Sequence, residues 1–174
     1  MKAEPVFGKV AFIGLGLIGS SLARVLRAKG LADSIVASTR SRRTLEEAQF
    51  LGVIDQGYRD PTEAADGADL VVLAMPVCAT EAVLRAIAPV IGAHTIITDV
   101  GSTKGNVVAA AHAVFGDVLP AGFVPAHPIA GGEKTGVHAG HAELFAHHKV
   151  ILTPLPSSDP AAVAKVTQMW RAAQ

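Results

Sequence analysis

Three polar segments break an otherwise apolar chain, and each carries residue types that can do chemistry. The first is Gly14-Leu15-Gly16-Leu17-Ile18-Gly19, a G-x-G-x-x-G turn entered from the apolar run Val10-Ala11-Phe12-Ile13. Gly14 allows a sharp bend, Gly16 lets backbone approach a pyrophosphate, and Gly19 lets the next helix pack closely on the strand. The backbone of Leu15, Leu17 and Ile18 completes the turn, and a helix starting there points unpaired N–H groups and its positive dipole end at phosphates. A glycine pattern alone implies no more than close packing. Here the strand before it, the helix after it and the offset of about 20 residues to the next strand end all agree on dinucleotide binding.

That next strand end decides which dinucleotide is expected. Sites for NAD place Asp or Glu there, where it accepts hydrogen bonds from ribose hydroxyls and repels a 2′-phosphate. This chain has Thr39-Arg40-Ser41-Arg42-Arg43. Thr39 stands in the acid's place, and Arg40 with Arg42 or Arg43 supplies planar donor forks suited to a phosphate dianion. NADP is therefore expected over NAD, with NAD a possible second cofactor. The alternative is that the arginines are a solvated first helical turn, although cations are disfavoured at a helix N-terminus.

Thr98-Asp99-Val100-Gly101-Ser102-Thr103-Lys104 and Ala126-His127-Pro128-Ile129-Ala130-Gly131-Gly132-Glu133-Lys134-Thr135-Gly136-Val137 each follow a predicted strand. Ligand crevices of open α/β sheets lie outside the carboxyl ends of strands, so both segments fall on the rim that carries the glycine turn. Met75 and Pro76, with Val77, end another strand and are expected to line the cofactor cleft through backbone and apolar contact. By residue type alone, His127 reads more readily as a hydrogen-bonded turn residue than as a base, Ser102 as a helix N-cap, and Glu133 as a solvated loop charge. His138, His141, His147 and His148 lie close together, but zinc needs three or four converging ligands. No cysteine or regular helical spacing supports that, so no metal is expected.

The elements that must position these residues follow from the apolar pattern. Val10–Ile13, Ser34–Ala37, Leu70–Ala74, Thr95–Thr98, Gly122–Val124 and Val150–Leu152 predict strands covered on both faces. Leu17–Lys29 (stopped by Gly30), Arg42–Leu51, Ala79–Ile91, Lys104–Phe115 and Pro160–Ala173 predict helices, the last capped by Ser158 or Asp159. Strands alternating with helices define an α/β, Rossmann-type doubly wound, mainly parallel sheet with helices on both faces. At 174 residues the chain has room for one such domain, residues 1–174. Half the residues are hydrophobic and only 17% charged, which excludes disorder. Fifteen basic residues balance fifteen acidic ones, so no long-range field favours nucleic acid or an anionic membrane. No apolar run reaches the roughly 20 residues of a membrane span. Lys2 and Lys9 before Val10–Ala23 mimic a short leader, but Glu4 opposes this and the glycines have the better explanation. Cys78, the single cysteine, excludes an intrachain disulfide and fits a reducing cytoplasm.

The glycine turn continued through Ser20-Ser21-Leu22-Ala23, the Asp99–Lys104 segment, His127-Pro128-Ile129-Ala130-Gly131 with Glu133-Lys134, and the strand Val150-Ile151-Leu152-Thr153-Pro154 together resemble the prephenate and arogenate dehydrogenase family of tyrosine biosynthesis. The resemblance covers the family's nucleotide-binding domain. It implies oxidative decarboxylation of a small-molecule substrate, prephenate or arogenate, with hydride transfer to the nicotinamide. His127 then matches the family's catalytic histidine, the base for the ring hydroxyl, and Ser102 its serine, bonded to that hydroxyl or orienting the histidine and nicotinamide. Glu133 is placed at the edge of the substrate pocket. Gly132 departs from the pattern, since relatives often carry Thr there. The family's helical domain, which makes the homodimer and completes the substrate pocket, is expected beyond Gln174, and an apolar surface is expected where it docks. The rival expectations are an NADP-binding module with little or no catalysis, and another small-substrate NADP dehydrogenase.

Overall fold

The computed structural model describes residues 4–174, so Lys2 of the leader-like stretch lies outside the described residues. β1 (Phe7–Ile13) takes the middle of a six-stranded sheet because both of its faces are apolar: Val10 and Phe12 enter one core, Ala11 and Ile13 the other. α1 (Leu17–Lys29) follows, ended by Gly30 at φ 63°, and leads to β2 (Ala32–Ser38) and α2 (Arg42–Phe50). β3 (Gln56–Tyr58) and α3 (Pro61–Ala65) come next, then β4 (Leu70–Leu73), α4 (Thr80–Ile87), β5 (Ile96–Asp99), α5 (Lys104–Phe115) and β6 (Phe123–Val124).

The order is β3-β2-β1-β4-β5-β6, with every pairing parallel. Leu22, Leu45 and Ala48 place α1 and α2 on one face, joined by α6 (Pro160–Ala173) through Val166 and Trp170. Ala64, Leu84 and Val107 place α3, α4 and α5 on the other. The Trp170 ring meets Phe145 edge-on at 5.2 Å, fixing α6 against the loop that carries the histidines. The strand order reverses between β1 and β4, with β2 and β3 added on one side and β5 and β6 on the other, and this opens a crevice at their carboxyl ends.

Three expectations are corrected. Val150–Leu152 is a strand, β8, but it lies outside the parallel sheet and pairs antiparallel with β7 (Ala126–Pro128). β6 stops after two residues because Pro125 has no N–H to extend the ladder, and the chain swings out to form this ribbon. The place in the sheet belongs instead to β3, a short edge strand that no apolar run announces. The helix expected over Ala79–Ile91 is divided into a 3-10 turn, Val77–Ala79, and α4.

Candidate cofactor and active site

Steric demands separate the three glycines of the β1–α1 turn. Gly14 has φ +98°, and a Cβ there would sit 2.5 Å from the Ala74 carbonyl oxygen, so the turn is pressed against the end of β4. A Cβ on Gly19 would lie 2.8 Å from the Gly14 carbonyl oxygen and 2.9 Å from Ala74 Cβ, where α1 crosses the turn. Gly16 differs: its Cβ would meet nothing within 4 Å, although its φ of −75° suits any residue. The backbone here is bare by composition rather than by packing, as close approach of a ligand requires. Among the described residues no side chain caps α1, α4 or α5, the helices that follow the central strands β1, β4 and β5. Ser41, Asp60 and Asp159 do cap α2, α3 and α6. The carboxyl of Asp60 is held below its ordinary value by its bonds from Thr62.

A cleft of about 550 Å³ opens beside the turn, lined by Gly14, Leu15 and Gly16, by Ser38, Thr39 and Arg40 from the end of β2, and by Met75 and Pro76 after β4. The Thr39 hydroxyl donates to the Ser41 carbonyl (3.0 Å) and accepts from the Ser41 N–H (3.1 Å), which fixes the loop carrying Arg40. Arg43 is not in this lining. One helical turn carries it to the exposed face of α2, where its Nε donates to Glu47 at 2.8 Å. That bond raises the pKa of Arg43 and lowers that of Glu47. Arg42 is likewise held by Glu46 at 2.9 Å. The second guanidinium in the cleft is Arg59, which composition and spacing missed. β2 and β3 pair with Ser38 beside Tyr58, and this sets Arg59 next to Thr39. Arg40 and Arg59 have no acidic partner among the described residues, and no carboxylate lines the cleft. A cap followed by proline, Asp60-Pro61, was the available signal, because a helix starting at Pro61 implies a strand ending near Arg59.

The other two segments meet at the end of β5. Ser102 is exposed and is not the N-cap of α5; Thr103 holds that position and leaves the first turn uncapped. Gly101, just before it, faces Val77, which continues from the Met75-Pro76 wall of the cleft. His127 is half-buried in β7, cross-strand from Ile151. Ile151 and Ile129 expose apolar surface beside it, 49% and 43%. Glu133 lines a second cleft of about 520 Å³ with Gly131, Gly132 and Lys134, and Leu17 from the first turn of α1 forms its floor. His127 lines neither cleft, and Ile18 packs into the core. Beneath both segments Asp99 is 2% exposed and paired with Lys104, whose pKa burial pushes down while Asp99 opposes the shift. Of the loop histidines, His138 meets Glu47 at 3.3 Å and His141 meets Glu143 at 3.7 Å. No three potential ligands converge on a metal position among the described residues. No helix among them is long and apolar enough to cross a membrane.

An open backbone cradle, an uncapped helix N-terminus and two unpaired guanidiniums are a donor set that fits a phosphorylated dinucleotide. Comparison with known proteins points the same way. The family model described as prephenate dehydrogenase, nucleotide-binding domain, matches residues 22–174. Cyclohexadienyl dehydrogenase of Zymomonas mobilis is 40% identical over 166 residues, 95% of this chain and 55% of that protein. Prephenate dehydrogenase of Bacillus subtilis is 36% identical over 165 residues, 93% of this chain and 43% of that one. The crystal structure of prephenate dehydrogenase from A. aeolicus with hydroxyphenyl propionate and NAD+ superimposes with a TM-score of 0.86 at 30% identity, covering 95% of this chain and 57% of that one. The chain thus spans about half the length of the curated relatives it matches. From its parallel sheet, its rim and these likenesses, the chain belongs to the prephenate dehydrogenase family, as the nucleotide-binding domain.

Proposed function

We propose that this chain binds NADP in preference to NAD and forms the cofactor-binding part of an enzyme that oxidatively decarboxylates prephenate or arogenate. The observation that carries the preference is the pair of unpaired guanidiniums, Arg40 and Arg59, in a cleft without a carboxylate. A 2′-phosphate takes charge-assisted bonds from them. Leu15, Gly16, Leu17 and Ile18 offer backbone to the pyrophosphate, and Met75 and Pro76 line the cofactor cleft.

When bound, the nicotinamide supplies the hydride acceptor, and departure of carbon dioxide leaves an aromatic ring. His127 accepts the proton of the substrate's ring hydroxyl, and Ser102 donates to or orients that same hydroxyl. Glu133, with Lys134 across the second cleft, borders the substrate.

Titration calorimetry with NADP and NAD, followed by absorbance at the reduced-nicotinamide band with prephenate or arogenate, tests this function. NADP is expected to bind about tenfold or more tighter than NAD. His127→Asn is expected to keep NADP affinity while turnover falls about 10²- to 10⁴-fold. Absence of heat with either coenzyme overturns the cofactor assignment, and unaltered turnover of His127→Asn overturns the chemistry.

A further inference from the structure

We infer that Asp99 and Lys104 are a positioning pair that sets the distance between Ser102 and His127. This rests on the roles proposed above for those two residues, but the contacts stand independently of them. One oxygen of Asp99, Oδ2, accepts the Gly101 N–H at 2.9 Å and pairs with Lys104 Nζ. The other, Oδ1, accepts the Ala126 N–H at 3.1 Å. Lys104 Nζ also donates to the Ala126 carbonyl at 2.7 Å. A single carboxylate thus holds the backbone one residue before Ser102 and one residue before His127, and its counter-ion holds the Ala126 carbonyl, in the peptide that leads into His127.

The need for such a clip follows from where the sheet ends. β5 and β6 keep backbone register through Thr98 beside Val124, reinforced by the Thr98 hydroxyl donating to the Val124 carbonyl at 2.7 Å. One residue later Pro125 interrupts the ladder and β7 turns away to pair with β8. From that point the side chains of Asp99 and Lys104 tie the His127 strand to the Ser102 loop. Asp99 is also the one charged side chain in the buried interior among the described residues. An ion pair at that depth is a poor source of stability compared with apolar groups of the same volume. What it provides instead is direction: two acceptor oxygens and a cation at fixed angles. Apolar packing cannot specify the placement of two backbones so narrowly, and displacement of a reacting group by about 1 Å can cost about 10²-fold in rate.

Asp99→Asn preserves shape but turns an N–H₂ toward either Gly101 or Ala126, whose N–H groups then face a donor. Lys104→Gln leaves the carboxylate without its cation, and Lys104→Arg keeps the charge as the conservative control. Turnover, KM and NADP dissociation constant are to be measured on the longest reading frame that carries these residues, with His127→Asn alongside. The expected result is a loss of about 10- to 100-fold in kcat for Asp99→Asn and Lys104→Gln. The NADP dissociation constant should stay within about twofold, and Lys104→Arg should recover most of kcat. The inference is overturned if His127→Asn abolishes turnover while Lys104→Gln and Asp99→Asn stay within about twofold of the parent. It is also overturned if kcat, NADP affinity and melting temperature decline together, as for a merely structural pair. If His127→Asn turns over normally, the base assignment fails instead. Should Asp99→Asn fail to fold, the two Lys104 variants make the same comparison.

Discussion

Replacing Arg59 with alanine tests the proposed contact with a 2′-phosphate. The side chain is exposed, has no ion-pair partner among the described residues and supports no packing, so its loss leaves the fold intact. A hydrogen bond to a charged group contributes about 1.5–3 kcal/mol when shielded. Arg59 lies at the mouth of the cleft, where solvent screens it, so about 1–2 kcal/mol is the expected share. That corresponds to a roughly 5- to 30-fold weaker NADP dissociation constant. NAD, which has no 2′-phosphate, should bind Arg59→Ala within about twofold of the parent. Arg40→Ala should behave alike, and the double variant should lose less than the sum, because both forks grip one phosphate. Calorimetry with NADP, NAD and 2′,5′-ADP at about 0.05 and 0.5 M salt reads this directly, and the parent should show the steeper salt dependence. Equal weakening of NAD and NADP, or no weakening of either, refutes a 2′-phosphate contact at Arg59.

Thr39→Asp sets a carboxylate between the two guanidiniums, and the ratio of NAD to NADP affinity should rise about tenfold or more; an unchanged ratio removes the charge argument. Gly14→Ala forces a side chain at φ +98° into the Ala74 carbonyl and should cost about 3 kcal/mol or more, a fall of about 6–12 °C in Tm. Gly16→Ala meets nothing in the protein, so Tm should move by no more than about 2 °C while NADP affinity drops about tenfold or more. Loss of Tm without loss of affinity would reverse the roles given to Gly14 and Gly16. Lys104→Met breaks a pair whose side chains are 17% and 2% exposed, and should destabilise by about 3 kcal/mol. Because burial lowers the Lys104 pKa below 10.5, the unfolded chain holds more protons between the folded value and 10.5. Stability of the parent relative to Lys104→Met should therefore rise with pH through that window and be flat below it. Urea unfolding over an alkaline pH series checks the sign.

Long apolar runs made the centre of the fold legible. β1, β2, β4 and β5 are covered on both faces, so their composition alone marks them, and G-x-G-x-x-G fixed the first turn to within a residue. Gly30 and Asp159 signalled the end of α1 and the start of α6 by their backbone preferences. What stayed hidden depends on pairing between distant segments. Gln56-Gly57-Tyr58 is too short and too polar to declare itself, and with β3 unseen there was no reason to bring Arg59 to the end of β2. Arg40, Arg42 and Arg43 all looked available to the cleft in sequence, yet helix geometry and the glutamates four residues on leave only Arg40 of the three turned to it. Val150–Leu152 was legible as a strand but not as a ribbon partner, because antiparallel pairing with Ala126–Pro128 crosses some twenty residues of loop. Asp99 and Lys104 were visible as a motif, but their purpose depends on Ala126, which only the folded chain brings to them.

The parts of the site read from sequence and those read from coordinates share one electrostatic logic. Helices α2, α3 and α6 begin with a side-chain oxygen that satisfies their orphan N–H groups, whereas α1, α4 and α5 begin bare at the rim. Arg42 and Arg43 are neutralised by glutamates on their own helix, whereas Arg40 and Arg59 are left unpaired beside the bare end of α1. In the cofactor cleft the bare start of α1 and the two guanidiniums gather positive potential, where like charges and unsatisfied donors oppose one another. Phosphate groups resting along the cleft take up these donors. The buried end of β5 follows the opposite rule: Asp99 accepts from Gly101, Ala126 and Lys104, and Lys104 also donates to the Ala126 carbonyl. With binding proposed at a rim of unanswered donors and positioning at a buried pair whose bonds are made, cofactor affinity and catalytic geometry should respond to different substitutions.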